Sequence, residues 1–176
     1  MRVSELSPRA QEIVASAREV LEDAGPSGLS MRALADRLGI RAPSIYKHLA
    51  DKQALENAVI SAGFEEFAAA LEAAQAEDDP VGAFAAAYRR FATEHPHLYR
   101  LMTEHPLQRD ALVPGAEDRA SAHVLVAAGG DPALARALWG LAHGLTILEL
   151  NGRFPADADL DAAWEQGLDA FRARLP

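Results

Sequence analysis

The chain has 176 residues, enough for one sizeable globular unit or for a small head joined to a larger body. It is 49% hydrophobic with only 6% aromatic side chains, which favours helices over sheets, and it has no cysteine, which excludes disulfides, thiolate zinc sites and cysteine nucleophiles. Its formal charge of −9 is unevenly placed, because residues 1–62 hold eight Lys/Arg against eight Asp/Glu while residues 63–176 carry the whole acidic excess.

An amphipathic helix is expected over Gln11 to Ala24, stopping at Gly25. It is too charged for a signal peptide, and no apolar run approaches membrane-spanning length. These features point to a cytoplasmic protein with no membrane partner. Residues 30–52, SMRALADRLGIRAPSIYKHLADK, then read as a helix-turn-helix. Ser30 suits an N-cap, since its hydroxyl can accept a bond from an orphan amide of the first turn. Leu34, Ala35 and Leu38 share one face. Gly39 stands where the helix must stop and the chain turn, a place for a residue free to adopt positive φ. Ile40 packs under that turn. A second short helix starts near Ala42-Pro43, where the missing proline N–H costs least, and Ile45 and Leu49 supply its buried stripe.

The polar residues around the second helix are Arg41, Ser44, Tyr46, Lys47, His48 and Lys52, and Asp51 is the only acid between positions 39 and 55. Such a set suits phosphate oxygens and base edges. A merely solvated helix face would normally mix both signs of charge. The acidity of the rest does not count against nucleic acid, because it would turn a neutral head with a basic strip towards a polyanion.

Asp51 opens a long helix expected to reach about Ala76, with Leu55, Val59, Phe64, Phe67 and Leu71 along it. Further helices are expected over 81–94 and 95–102, then 117–128 after a Pro/Gly-bearing loop, then 132–151 and 159–175. No strand pattern or internal repeat is present. The expected fold is all-α: a three-helix DNA-binding head within residues 1–55 on a bundle of about six helices within 56–176.

On the helix 132–151, Ala137, Gly140, Gly144 and Leu148 share one side, flat enough for another backbone to approach. Trp139, His143 and Thr146 share a different side. With Phe67, Tyr88, Phe91, Leu101, Met102 and Leu125, Trp139 and His143 can line an apolar pocket with a few polar handles; ordinary core packing is the alternative for each of them. His95 and His97 flank Pro96, with Glu94 and His105 near, but no third ligand is spaced to complete a metal site, so none is assigned. Neither a nucleophile elbow nor a Gly-rich phosphate loop is present, and no cofactor or enzymatic activity is expected.

Residues from about 10 to 60 resemble the DNA-binding head of the tetracycline-repressor (TetR) family. The likeness rests on the first helix, on Ser30-Met31-Arg32-Ala33-Leu34-Ala35, on Leu38-Gly39-Ile40, on Tyr46-Lys47-His48-Leu49 and on Asp51-Lys52 with Leu55. Leu49 replaces the family's usual phenylalanine, an apolar exchange at a core position. The resemblance implies DNA contacts at Ser30, Arg41, Ser44, Tyr46, Lys47, His48 and Lys52, with Tyr46 and Lys52 as phosphate anchors and Arg41 and Ser44 as base readers. Residues 80–154 are similar to a subgroup of family bodies in which a tryptophan precedes a His-Gly pair, here Trp139 to Gly144.

By resemblance, the last two helices would pair with their copies about a two-fold axis. The dimer interface would then comprise Ala137, Gly140, Gly144 and Leu148 with Leu160, Trp164, Leu168 and Phe171. The implied function is a homodimeric regulator, a repressor released from a near-palindromic operator by a small, partly apolar effector, with the helix 51–76 as the mechanical link. Two alternatives remain at this point: a switchless regulator whose body only dimerises or binds a protein, and a helical enzyme or sensor that no longer binds DNA.

Overall fold

The computed structural model describes residues 6–74 and 78–175. Among these the chain is all-helical, with no strand. The helices are α1 (Pro8–Gly28), α2 (Met31–Leu38), α3 (Ala42–Tyr46), α4 (Lys52–Ala73), α5 (Pro80–Glu94), α6 (Pro96–Thr103), α7 (Ala116–Ala127), α8 (Pro132–Leu150) and α9 (Leu160–Arg172). The expected end of the long helix, near Ala76, lies outside the described residues.

Local chemistry sets most of these boundaries. The Ser7 hydroxyl accepts from the Ala10 amide at 3.3 Å, and Pro8 follows where its missing N–H is harmless. Gly25 leaves helical geometry at φ +70°, so the regular part of α1 ends where expected and Pro26–Gly28 adds a separate turn. Ser30 caps α2 through the Ala33 amide at 3.1 Å. At the other end Gly39 takes φ +63°, and the amides of Gly39 and Ile40 close onto the carbonyls of Asp36 and Ala35. Asp51 caps α4 through the Ala54 amide at 2.7 Å. Asp131 and Asp159 do the same for α8 and α9.

The residues fall into two compact units, 1–66 with 95–118 and 67–94 with 119–176. In the first, α1 packs against α2 and α6, and α2 against α3. Its core holds Ile13, Ala17, Leu21, Leu34, Ile45, Leu55, Val59 and Leu98, all essentially inaccessible to solvent. Buried Ser61 accepts from the Val113 amide at 3.0 Å and donates to the Asn57 carbonyl at 2.8 Å, which fastens the loop before α7 onto α4.

In the second unit α5, α8 and α9 pack on one another. Two arginines fasten them. Arg89 of α5 holds both carboxylate oxygens of Glu149 at 2.8 and 2.9 Å and reaches Asp161 at 2.6 Å. Its guanidinium also lies 5.8 Å from the ring centre of Trp164. Arg172 of α9 binds Asp79, just before α5, at 2.7 Å, together with Glu165 and Asp169.

Candidate functional site

In the first unit the helix-turn-helix is held from behind. Buried Leu34, Ala35 and Ile45 fill its interior, and Leu49 closes the turn after α3. Arg37 on α2 bonds Asp23 and Glu19 of α1, each at 2.8 Å, and those bonds hold its guanidinium above the ordinary arginine value. Arg37 is thereby committed to the frame.

The cations around α3 are arranged differently. Arg41 is exposed at the N-cap position of α3 and makes no side-chain cap. Ser44 lies half-buried on the helix, and Tyr46, its last residue, is 49% exposed. Lys47 and His48 follow, exposed, in the turn made by the Ile45 carbonyl with the amides of His48 and Leu49. Lys52 opens α4 and makes one loose contact with Glu56 at 3.4 Å. Ser30 keeps its capping bond, so only its hydroxyl proton remains for a phosphate. Five of the seven expected contacts therefore sit on one short helix, its N-cap and the turn after it. Arg32 was missing from that set. It is exposed in the first turn of α2 beside Ser30, and neither Arg32, Arg41 nor Lys47 has a carboxylate partner among the described residues. Its signal in the sequence was a cation on the polar side of a helix whose other cation, Arg37, has acids within reach.

The eight residues expected to line a pocket are divided between the two units. Phe67 meets Tyr88 edge-on at 5.3 Å and Phe91 at 4.9 Å, and Phe84 lies 5.7 Å from Tyr88, an aromatic cluster inside the second unit. Trp139 and His143 are 6.3 Å apart on α8 as their spacing requires, but Trp139 is 51% exposed. Leu125 is exposed too. Leu101 and Met102 belong to the first unit and are buried on α6, and a Cβ at Gly63 of α4 would stand 2.7 Å from the Met102 sulfur. Thr146 is not among the eight. It lies on the buried face of α8 with Ala135, Leu138 and Ala142, and its hydroxyl is fully buried without a partner among the described residues.

The expected dimer residues divide as well. On α8, apart from the helix's own backbone and chain neighbours, no atom of the described residues lies within 4 Å of where a Cβ would stand on Gly140 or Gly144. Ala137 and Leu148 are exposed beside them. On α9, Trp164 and Leu168 are buried within the chain, Trp164 against Arg89. Leu160 and Phe171 are half-buried. The outward residues of α9 are small or polar, among them Ala163, Gln166 and Ala170. Phe171, Ala170, Ala133 and Ala137 line an open groove of about 530 Å³ between α8 and α9. Among the described residues no group of three or more His, Asp or Glu is placed to hold a metal ion.

Residues 13–59 match the model of bacterial regulatory proteins of the tetR family, and residues 81–171 match that of the tetracyclin repressor-like C-terminal domain. The chain belongs to the TetR family. It is a transcriptional regulator with the family's N-terminal DNA-binding domain. An uncharacterised helix-turn-helix transcriptional regulator of Mycobacterium tuberculosis is 33% identical over 165 residues, which cover 88% of this chain and 75% of that one. The multidrug-binding protein EbrR, solved with imidazole, superposes with a TM-score of 0.70 at 26% identity, over 97% of this chain and 91% of its own. A variant of TetR from Acinetobacter baumannii, solved with minocycline, gives a TM-score of 0.63 at 25% identity, over 92% and 93%.

Proposed function

We propose that this TetR-family regulator is a homodimeric repressor whose two copies of α3 enter successive major grooves of a near-palindromic operator, released when a small, partly apolar molecule binds the body. Residues 1–55 would read DNA, and residues 56–176 would dimerise and take the effector. The observation that carries the reading is the set of exposed cations without carboxylate partners around α3, mounted on a helix-turn-helix whose interior is fully buried. Arg41 and Ser44 are assigned to base edges. Tyr46, Lys47, His48, Lys52, Ser30 and Arg32 are assigned to phosphates or to the register they impose.

The effector would lie against the aromatic cluster of Phe67, Tyr88 and Phe91, with Thr146 as polar handle. A buried hydroxyl lacking a partner gains most from a ligand that supplies one. The ligands bound to two similar proteins, imidazole and minocycline, support a small-molecule effector. The dimer would be built on the open side of α8, Ala137, Gly140, Gly144 and Leu148, with the small outward residues of α9. Selection from a randomised duplex pool tests the core of this reading. The protein should retain one near-palindromic family of duplexes, less tightly as salt rises, and Tyr46→Phe with Lys52→Ala should weaken that retention. A folded protein that retains no duplex in preference to any other would end it.

A further inference from the structure

Thr146 is the one place in the second unit where packing leaves a buried polar group unused. It lies on the inward face of α8 with Leu138 and Ala142, all three fully buried. A hydroxyl inside a helix ordinarily settles on the carbonyl three or four residues back. Elsewhere in the molecule this is what happens. Thr93 donates to the Arg89 and Arg90 carbonyls at 3.0 Å, Thr103 to the Tyr99 carbonyl at 2.7 Å and Ser61 to the Asn57 carbonyl at 2.8 Å. The Thr146 hydroxyl has no such bond, and no other hydrogen-bond partner among the described residues. A buried hydroxyl in that state lowers stability, so a partner supplied from outside is worth more here than on the surface.

The unit around it is apolar inside. Helix α8 packs on α5, whose buried face carries Tyr88 and Phe91, and Phe67 joins their ring cluster. Among the described residues of this unit no Asp, Glu, Lys, Arg or His is buried. The two half-buried arginines that fasten the helices are already committed, Arg89 to Glu149 and Asp161, and Arg172 to Asp79, Glu165 and Asp169. An ionised group entering this interior would lose its hydration and meet no free counter-ion, a cost beyond what apolar contact returns. A neutral molecule escapes that cost, and one with a hydroxyl or carbonyl can satisfy Thr146, which both donates and accepts.

We infer that the effector is an uncharged, predominantly apolar molecule bearing a hydroxyl or carbonyl, and that Thr146 selects it through a hydrogen bond. The inference rests on the effector-released repressor proposed above and narrows its ligand class. Carboxylates, phosphate esters and ammonium compounds are excluded from the site, however apolar the rest of the molecule.

Four probes that share one ring system separate charge from hydrogen bonding: naphthalene, naphthol, naphthoate and naphthylmethylammonium at neutral pH. Binding to the full-length wild type, Thr146→Val and Thr146→Ser is read from ring fluorescence, and stability from thermal melting, both without DNA. The wild type should bind naphthol about 2- to 12-fold more tightly than naphthalene, the range of one neutral hydrogen bond. It should bind each charged probe at least about 10-fold more weakly than naphthol. Thr146→Val should melt no lower than wild type, hold naphthalene as before and lose the preference for naphthol. Thr146→Ser keeps the hydroxyl and should keep the preference; if the valine variant does not fold, Thr146→Ala takes its place. Equal or tighter binding of either charged probe, or no binding of naphthol, would overturn the inference. So would a valine variant that retains the naphthol preference, because the hydroxyl would then be a structural group satisfied within the fold. Duplex selection is measured separately on the same wild-type protein. Naphthol binding without duplex selection would overturn the repressor reading while supporting the neutral chemistry of this site. Duplex selection with a failed probe series would overturn this inference alone.

Discussion

Arg37 and Arg41 are four residues apart and chemically identical, yet the fold gives them different work. Arg37 lies within reach of Glu19 and Asp23 and spends its donors on the frame; Arg41 stands at the start of α3 with no such acid. Replacing Arg41 by alanine should cost about 1–3 kcal/mol of operator affinity and relax selection at one base pair. Lys47→Ala should instead weaken all duplexes alike and reduce the salt slope by about one, both read from binding isotherms at several salt concentrations. Arg37→Ala should lower the melting temperature while leaving the selected sequence unchanged. Gly39 makes a different point at this scale. Beyond its chain neighbours, no atom of the described residues lies within 4 Å of its missing Cβ, so its φ of +63° is what disfavours a side chain. Gly39→Ala should destabilise by about 1–2 kcal/mol, the left-handed backbone cost, in urea unfolding. A neutral result would mean that the turn can relax.

Among the elements, α9 shows how charge and packing share a task. Its apolar stripe of Trp164 and Leu168 faces inward, and Arg172 ties its far end to Asp79 ahead of α5. Hydrogen bonds from Arg172 hold the Asp79 carboxyl below the usual carboxylate range. A depressed folded-state value contributes stability that is fully present above the unfolded aspartate's value and is lost as pH falls through the folded one. The melting temperature should therefore fall on the acid side, and Asp79→Asn should be less stable than wild type near neutral pH but converge with it in acid. A difference that stayed constant across that window would rule out the ion pair as its source. Helix α6 was the element least legible from sequence. Its eight residues read as part of the body, whereas its packing partner is α1, reached through a carboxylate seventy-six positions away from Leu98. No local pattern announces a contact at that separation.

At the level of the whole molecule, the acidic excess lies in residues 63–176 and the neutral stretch with its basic strip in 1–62, so a polyanion is drawn to one end of the chain. The dimer proposed on α8 has a clean test, because Gly140 and Gly144 face empty space within the subunit. Gly144→Leu should not unfold the subunit, and in a helix it should add up to about 1 kcal/mol of stability. It should also halve the mass measured by light scattering. An unchanged dimer would move the interface elsewhere.

By itself the sequence determined what short-range chemistry can determine. Ser30, Gly39, Pro43 and Asp51 set caps and turns through bonds and sterics that span a few residues, and the helical period placed Leu34, Ile45, Leu55 and Val59 inside. Those local rules, with the cations around α3, were enough to reveal a helix-turn-helix and its family. The tertiary structure alone decided among residues that look alike along the chain. Trp139 and Trp164 both sit on amphipathic helices, but Arg89 and the packing of α5, α8 and α9 put one in the core and leave the other half exposed. Burial depends on which faces meet, and that is a property of contacts between distant segments, not of the pattern within any one of them.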